Sequence, residues 1–219
     1  VPTNNKYTNS NTSSANSNST MKGNTYKSEN QETTITTNVD KSLLNSVPSS
    51  VGTDLNLECG GAVLIEQNSG RVLYDHNMHQ KLRPASVTKI MSILLIMEAI
   101  DSGRLSYTDK IPCTETAAAM GGSQIWLDVR EELTVDEMLK AICVVSANDC
   151  TVAMAEYLAG SQEAFVEQMN AKAKELGMND TNFKNCHGID EDGHETSAYD
   201  IALMSRDCLL YTSPSPRDT

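Results

Sequence analysis

Ser86 and Lys89 stand three residues apart at the head of a strongly apolar run, Ile90 to Ile100. On a helix that spacing puts both side chains on one face, within ~5–6 Å between β-carbons. The pair is suited to acyl transfer. A serine hydroxyl attacks a carbonyl, and a lysine shielded enough to lose its proton takes the proton of that hydroxyl. Amides at a helix N-terminus favour negative charge and so help the serine ionise. Taken alone the spacing is weak, because roughly one Ser-x-x-Lys match is expected by chance in a chain this long. A capping serine beside a solvated lysine is then the simpler reading. A second constellation, Ser146-Ala147-Asn148, falls where two helical stretches meet. If that link is extended, Ser146 and Asn148 point the same way at i, i+2. A hydroxyl there can relay a proton between nucleophile, lysine and leaving amine, and an amide there can hold a substrate carbonyl. Serine and asparagine also favour helix caps, which by itself explains the triplet as well.

The elements that must position these residues are legible in the pattern. Gly61 to Glu66 and Arg71 to Tyr74 flank Asn68-Ser69-Gly70 and read as a β-hairpin. Leu82 to Ala85 is expected to be extended, because the residue before a proline avoids the helical region. A helix is expected from Ser86 to Ser102, stopped by Gly103. It is apolar nearly all round, so it calls for burial on every side. Thr114 to Ala119 reads as a short helix and Met120 to Ser123 as a loop. Thr134 caps a helix over Val135 to Val145, with Glu137 as its box partner. Further helices are expected over Asn148 to Ala159, Ser161 to Leu176 (with Gly177 at its end) and Ala198 to about Asp207, the last capped by Ser197. No strand is expected after the hairpin.

Composition narrows the class. Of the first 38 residues, 24 are Asn, Ser or Thr. Such a segment buries too little apolar surface to offset its ordering entropy, so residues 1–50 are expected to be a disordered tail or linker. Four basic and three acidic residues fall there, so the chain total of -12 leaves -13 on residues 51–219. A domain this acidic is a poor binder of nucleic acid or of anionic membranes. No run approaches the ~20 apolar residues of a membrane span. No secretory signal opens the chain at Val1, so one is expected to have been removed or to lie upstream. The six cysteines lack zinc-site spacing and read as small buried hydrophobes, with Cys143 and Cys150 facing one way on a helix. The histidines show no metal-ligand spacing, and His187 reads as structural. No metal or cofactor is implied.

Together, in order and 57 residues apart from Lys89 to Ser146, the two constellations match two of the three motifs of penicillin-recognising serine enzymes. Pro84-Ala85-Ser86-Val87-Thr88-Lys89-Ile90-Met91 resembles the nucleophile segment of the D-alanyl-D-alanine carboxypeptidases of the low-molecular-weight penicillin-binding type. Ser146-Ala147-Asn148-Asp149, Gly121-Gly122-Ser123, and His187-Gly188-Ile189-Asp190 followed by His194 to Asp200 resemble that family's later signatures. The resemblance spans residues 57–207. It implies a β-lactamase/transpeptidase-like α+β fold, with an antiparallel sheet and a helical subdomain. It implies Ser86 as nucleophile, Lys89 as acylation base, Ser146 as proton relay and Asn148 as substrate ligand. The implied partners are peptidoglycan stem peptides ending in D-Ala-D-Ala, with β-lactams as inhibitors, and the implied location is extracytoplasmic. The alternatives are a penicillin-binding sensor, an inactive homologue, or a class A-like β-lactamase. For the last, Glu175 fits the E-x-x-apolar-N pattern of the deacylating base, but its place at a lysine-rich helix end argues for a solvated glutamate.

The family's third motif, K-T-G, supplies a cation for the substrate carboxylate and lies on a strand that gives an oxyanion-hole amide. No Lys-Thr-Gly or Lys-Ser-Gly triplet occurs in this chain. After Asp207 the sequence runs Cys208-Leu209-Leu210-Tyr211-Thr212-Ser213-Pro214-Ser215-Pro216-Arg217-Asp218. That string back-translates into a match to a transposase adapter used in library preparation. Residues 208–219 are therefore read as adapter read-through, and 51–207 as a partial catalytic domain. The third motif, the later sheet strands and any membrane anchor are expected beyond the truncation. Residues 1–219 alone are expected to be inactive and prone to associate through open strand edges and apolar faces.

Overall fold

The structure is a computed structural model and describes residues 55–211. The expected tail, residues 1–50, lies outside the described residues, as does most of the segment read as adapter-encoded. The hairpin forms as β1 (Ala62–Ile65) and β2 (Val72–His76), antiparallel, with Ala62 opposite His76 and a bulge between Leu64 and Ile65. Glu66 organises the turn by accepting from the Asn68 amide at 3.0 Å and from the Ser69 amide and hydroxyl, both at 2.6 Å.

The helical block follows the apolar periodicity. A 3-10 turn (Ala85–Thr88) leads into α1 (Lys89–Asp101), which buries Met91, Leu94 and Ile96 completely. Four helices then follow the loop after α1: α2 (Glu115–Ala118), α3 (Val135–Val145), α4 (Asn148–Ala159) and α5 (Gln162–Glu175). The last is α6 (Ala198–Tyr211). Buried Val135, Met138 and Ile142 share one stripe of α3, while Val152 and Met154 of α4 and Phe165 and Met169 of α5 complete the centre of the core. The predicted capping box is present: Thr134 Oγ1 accepts from the Glu137 amide at 3.2 Å and the Glu137 carboxylate accepts from the Thr134 amide at 2.8 Å. Gly160 and Gly177 take the left-handed conformation that ends α4 and α5.

Four expectations fail, each for a local reason. Two short strands, β3 (Lys110–Pro112) and β4 (Glu132–Thr134), pair antiparallel after the hairpin. Three residues are too few to show alternation, and of the six only Ile111 is buried. Leu82 is paired with Thr196, but Pro84 is in the helical region and Ala85 has a φ of 47°. The proline restriction acts on Arg83 alone and says nothing of the residues after it. Cys143 and Cys150 do not share a face, because α3 ends at Ser146; Cys143 is exposed and Cys150 buried. The helix α6 runs on to Tyr211, since nothing before Pro214 breaks it.

Candidate active site

Pairing of Leu82 with Thr196 brings the chain to the site. Two backbone bonds join them, Leu82 N to Thr196 O at 2.8 Å and Thr196 N to Leu82 O at 2.9 Å. The Lys81 ammonium meets the Glu195 carboxylate at 2.7 Å, and the Arg83 guanidinium pairs with Asp190. Residues 187–196 therefore form a cradle under the 3-10 turn. In such a turn side chains at i and i+3 eclipse, which stacks Ser86 below Lys89. The Lys89 ammonium donates to Ser86 Oγ at 3.2 Å and to the His187 carbonyl at 2.7 Å. Ser86 is exposed, whereas Lys89 is only 3% accessible. Burial pulls the Lys89 pKa down to about 8 from 10.5, against a smaller opposing influence of Cys186. The amine is thus much nearer to its free-base form than a surface lysine.

His187 supplies a carbonyl to Lys89 and is itself held neutral. Burial first, and then the Lys89 charge, lower its pKa to about 4, and its Nδ1 accepts from the Ile189 amide at 3.1 Å. Ser92, one turn along α1 from Lys89, donates to the Cys186 carbonyl at 2.6 Å and fixes the same segment. Gly188 then passes so close beneath the Ser86 turn that an added β-carbon would lie 1.9 Å from the Ala85 carbonyl oxygen and 2.9 Å from the Ser86 nitrogen. Its φ of +89° also excludes most side chains. Gly188→Ala is expected to displace the 3-10 turn and slow acylation of Ser86 by about 10²-fold. Stopped-flow labelling with a chromogenic β-lactam, done on protein shown to be folded by circular dichroism, checks this. Wild-type kinetics would mean that the turn tolerates displacement.

The second constellation is placed differently from the extended link expected. Ser146 caps α3 in the left-handed conformation, φ 59° and ψ 39°, and Asn148 opens α4. Among the described residues Ser146 is half-buried and forms no side-chain hydrogen bond with Ser86 or Lys89. Asn148 is buried; its amide nitrogen donates to Gly121 O and its backbone N–H to Ser123 O, both at 2.7 Å. Asn148 Oδ1 is buried and has no hydrogen-bond partner among the described residues. Asp149 beside it accepts from the Ile125 and Leu127 amides at 3.0 and 3.1 Å, tying the loop over Gly121–Leu127 to α4. Glu175, by contrast, ends α5 in an ion pair with Lys172 at 2.9 Å and is largely exposed.

The sequence profile of the D-alanyl-D-alanine carboxypeptidases matches residues 48–216. The chain belongs to this family. It is 54% identical over 160 residues to the D-alanyl-D-alanine carboxypeptidase DacF of Bacillus subtilis, a match covering 73% of this chain and 41% of that protein. The crystal structure of the D-alanyl-D-alanine carboxypeptidase DacD from Francisella tularensis superposes with a TM-score of 0.67 at 34% identity, covering 77% of this chain and 41% of that one. Penicillin-Binding Protein D2 from Listeria monocytogenes, in its ampicillin-bound form, superposes with a TM-score of 0.64 at 26% identity, covering 72% and 64%. The fold is therefore that of the penicillin-binding DD-peptidases, in its helical part and first strands. The chain spans about two fifths of the length of the curated relatives it matches.

Of the sequence-derived residues, the structure brings Ser86 and Lys89 into contact. It sets Asn148 against the Gly121–Ser123 loop and leaves Ser146 at the junction of α3 and α4. The sequence reading missed the His187 carbonyl, the close approach of Gly188 and the Thr88–His194 contact, although all three lie in segments it had singled out. A glycine directly after a histidine in a polar loop was the one available signal.

Proposed function

We propose that this chain carries the nucleophile half of a penicillin-sensitive serine carboxypeptidase that removes the terminal D-alanine from peptidoglycan stem peptides. The observation that carries the reading is the buried Lys89 amine, held between Ser86 Oγ and the His187 carbonyl with a pKa of about 8. In its neutral form that amine takes the Ser86 hydroxyl proton while Oγ attacks the carbonyl carbon of the penultimate D-alanine. The Ser86 amide donates to the oxyanion of the tetrahedral intermediate. The C–N bond then breaks, and the proton held on Lys89 passes through the Ser146 hydroxyl to the departing D-alanine nitrogen. Water attacks the ester, releasing the shortened peptide and restoring Ser86.

Asn148 suits the role of substrate ligand, because its unpartnered buried Oδ1 can accept an N–H from the peptide backbone. A β-lactam reacts along the same path, its ring amide taking the place of the scissile bond. The ampicillin-bound Listeria relative supports this reading. The stem peptide lies outside the cytoplasm, so the enzyme works facing the cell wall.

The test is release of D-alanine from a synthetic peptide ending in D-Ala-D-Ala by the full-length gene product. Turnover that penicillin blocks supports the reading. A protein labelled by penicillin but inert toward the peptide is a sensor, and one that hydrolyses penicillin rapidly is a β-lactamase; either result sinks the proposal.

A further inference from the structure

His194 belongs to none of the reacting groups, yet it is 2% accessible and makes two directed bonds. Its Nδ1 accepts from the Lys184 amide at 2.9 Å. A backbone N–H can only donate, so Nδ1 carries no proton and the imidazole proton of the neutral ring sits on Nε2. Nε2 lies 2.7 Å from Thr88 Oγ1 and therefore donates to it. The Thr88 hydroxyl hydrogen then points to its other partner, the Ala85 carbonyl at 2.8 Å. Each link in this path, from Lys184 through His194 and Thr88 to Ala85, has one possible direction.

Ala85 is where the path matters. Its φ of 47° is left-handed, a conformation unfavourable for a non-glycine residue that persists only where the surroundings enforce it. The Ala85 carbonyl accepts from Thr88 and lies so near Gly188 that there is no room for a β-carbon between them. Ser86 is the next residue. Thr88 is fully buried, so in the intact protein its hydroxyl is out of reach of bulk water. The His194 ring is also fixed against Phe183, with centroids 6.0 Å apart.

We propose that His194 is a positioning residue for the nucleophile, a bridge between the Lys184 amide and the Thr88 hydroxyl that locks Ala85 and so aims Ser86 at Lys89. The inference rests on Ser86 being the nucleophile. Glutamine at position 194 can keep a donor near Nε2, whereas alanine removes both bonds.

The experiment measures the acylation rate constant and the non-covalent dissociation constant of a fluorescent penicillin separately, on the full-length protein. His194→Ala and Thr88→Val should each slow acylation by about tenfold or more with little change in the dissociation constant, as small misplacements of a reacting group do. The double variant should be no slower than the worse single variant, because both act through one path. His194→Gln should recover to within about threefold of wild type, which a role confined to filling the core does not require. Wild-type acylation in Thr88→Val, multiplying losses in the double variant, or a His194→Gln as slow as His194→Ala would overturn the proposal. If His194→Ala does not fold, Thr88→Val and His194→Gln decide. Absence of labelling in the wild type would overturn the functional reading itself, and this inference with it.

Discussion

Replacing Ser86 with alanine is expected to abolish covalent labelling by fluorescent penicillin and release of D-alanine from a D-Ala-D-Ala peptide. The expectation follows from geometry. Among the described residues, Ser86 is the hydroxyl in contact with the lowered-pKa amine of Lys89. Of the other hydroxyls near the site, Thr88 is committed to Ala85 and His194 and Ser92 to the Cys186 carbonyl, while Ser146 forms no hydrogen bond with the Lys89 amine among the described residues. Removing Oγ therefore leaves no activated nucleophile, and loss of the acyl-enzyme should be complete within detection. Ser86 is exposed, and alanine is accepted in a helical turn, so the fold should be unaffected. Mass spectrometry of the full-length protein after incubation with penicillin reads the result directly. An adduct of unchanged stoichiometry in Ser86→Ala would place the nucleophile elsewhere.

Removing Lys89, the proposed base, should be nearly as damaging. Lys89→Ala is expected to slow acylation by at least ~10²-fold, the usual minimum for loss of a general base. The same lysine predicts the pH profile. A base must be neutral to take a proton, and a pKa of about 8 leaves roughly a tenth of the molecules neutral at pH 7. The acylation rate should therefore climb as pH rises through about 8 and level off above it. Lys89→Arg separates charge from basicity, because a guanidinium keeps its proton at any pH that proteins survive. It should be as slow as the alanine variant. A flat rate between about pH 6 and 9, or labelling at the wild-type rate in Lys89→Arg, would remove Lys89 from the proton path.

What could be read from the sequence was local. The Ser86–Lys89 contact is an i, i+3 relation, and the Thr134–Glu137 box and the glycine stops after α4 and α5 are contained within a few residues. Their physics is set by near neighbours, so order along the chain reveals it. The cradle is different. Lys89 meets a carbonyl 98 residues away, and a carbonyl has no side-chain identity to mark it. Gly188 matters because of what passes above it, and His194 because of a hydroxyl 106 residues distant. The same limit explains the overlooked β3–β4 pair, whose short strands are specified by each other, and the break at Ser146 that turned Cys143 outward while Cys150 stayed inside.

The distance along the chain between the Ser86–Lys89 pair and its cradle has a kinetic meaning. Closing a loop of about 100 residues costs about 2 kcal/mol more entropy than closing one of ten, so the contacts of Lys89 with His187 and of Thr88 with His194 should be late arrivals in folding. Until they form, Lys89 stands in water with the ordinary lysine value near 10.5, and its serine has no base. On the proposed mechanism a nascent or unfolded chain is therefore chemically silent. It should resist acylation by β-lactam, and the Ser86–Lys89 pair should become reactive only when residues 187–196 have been made and docked.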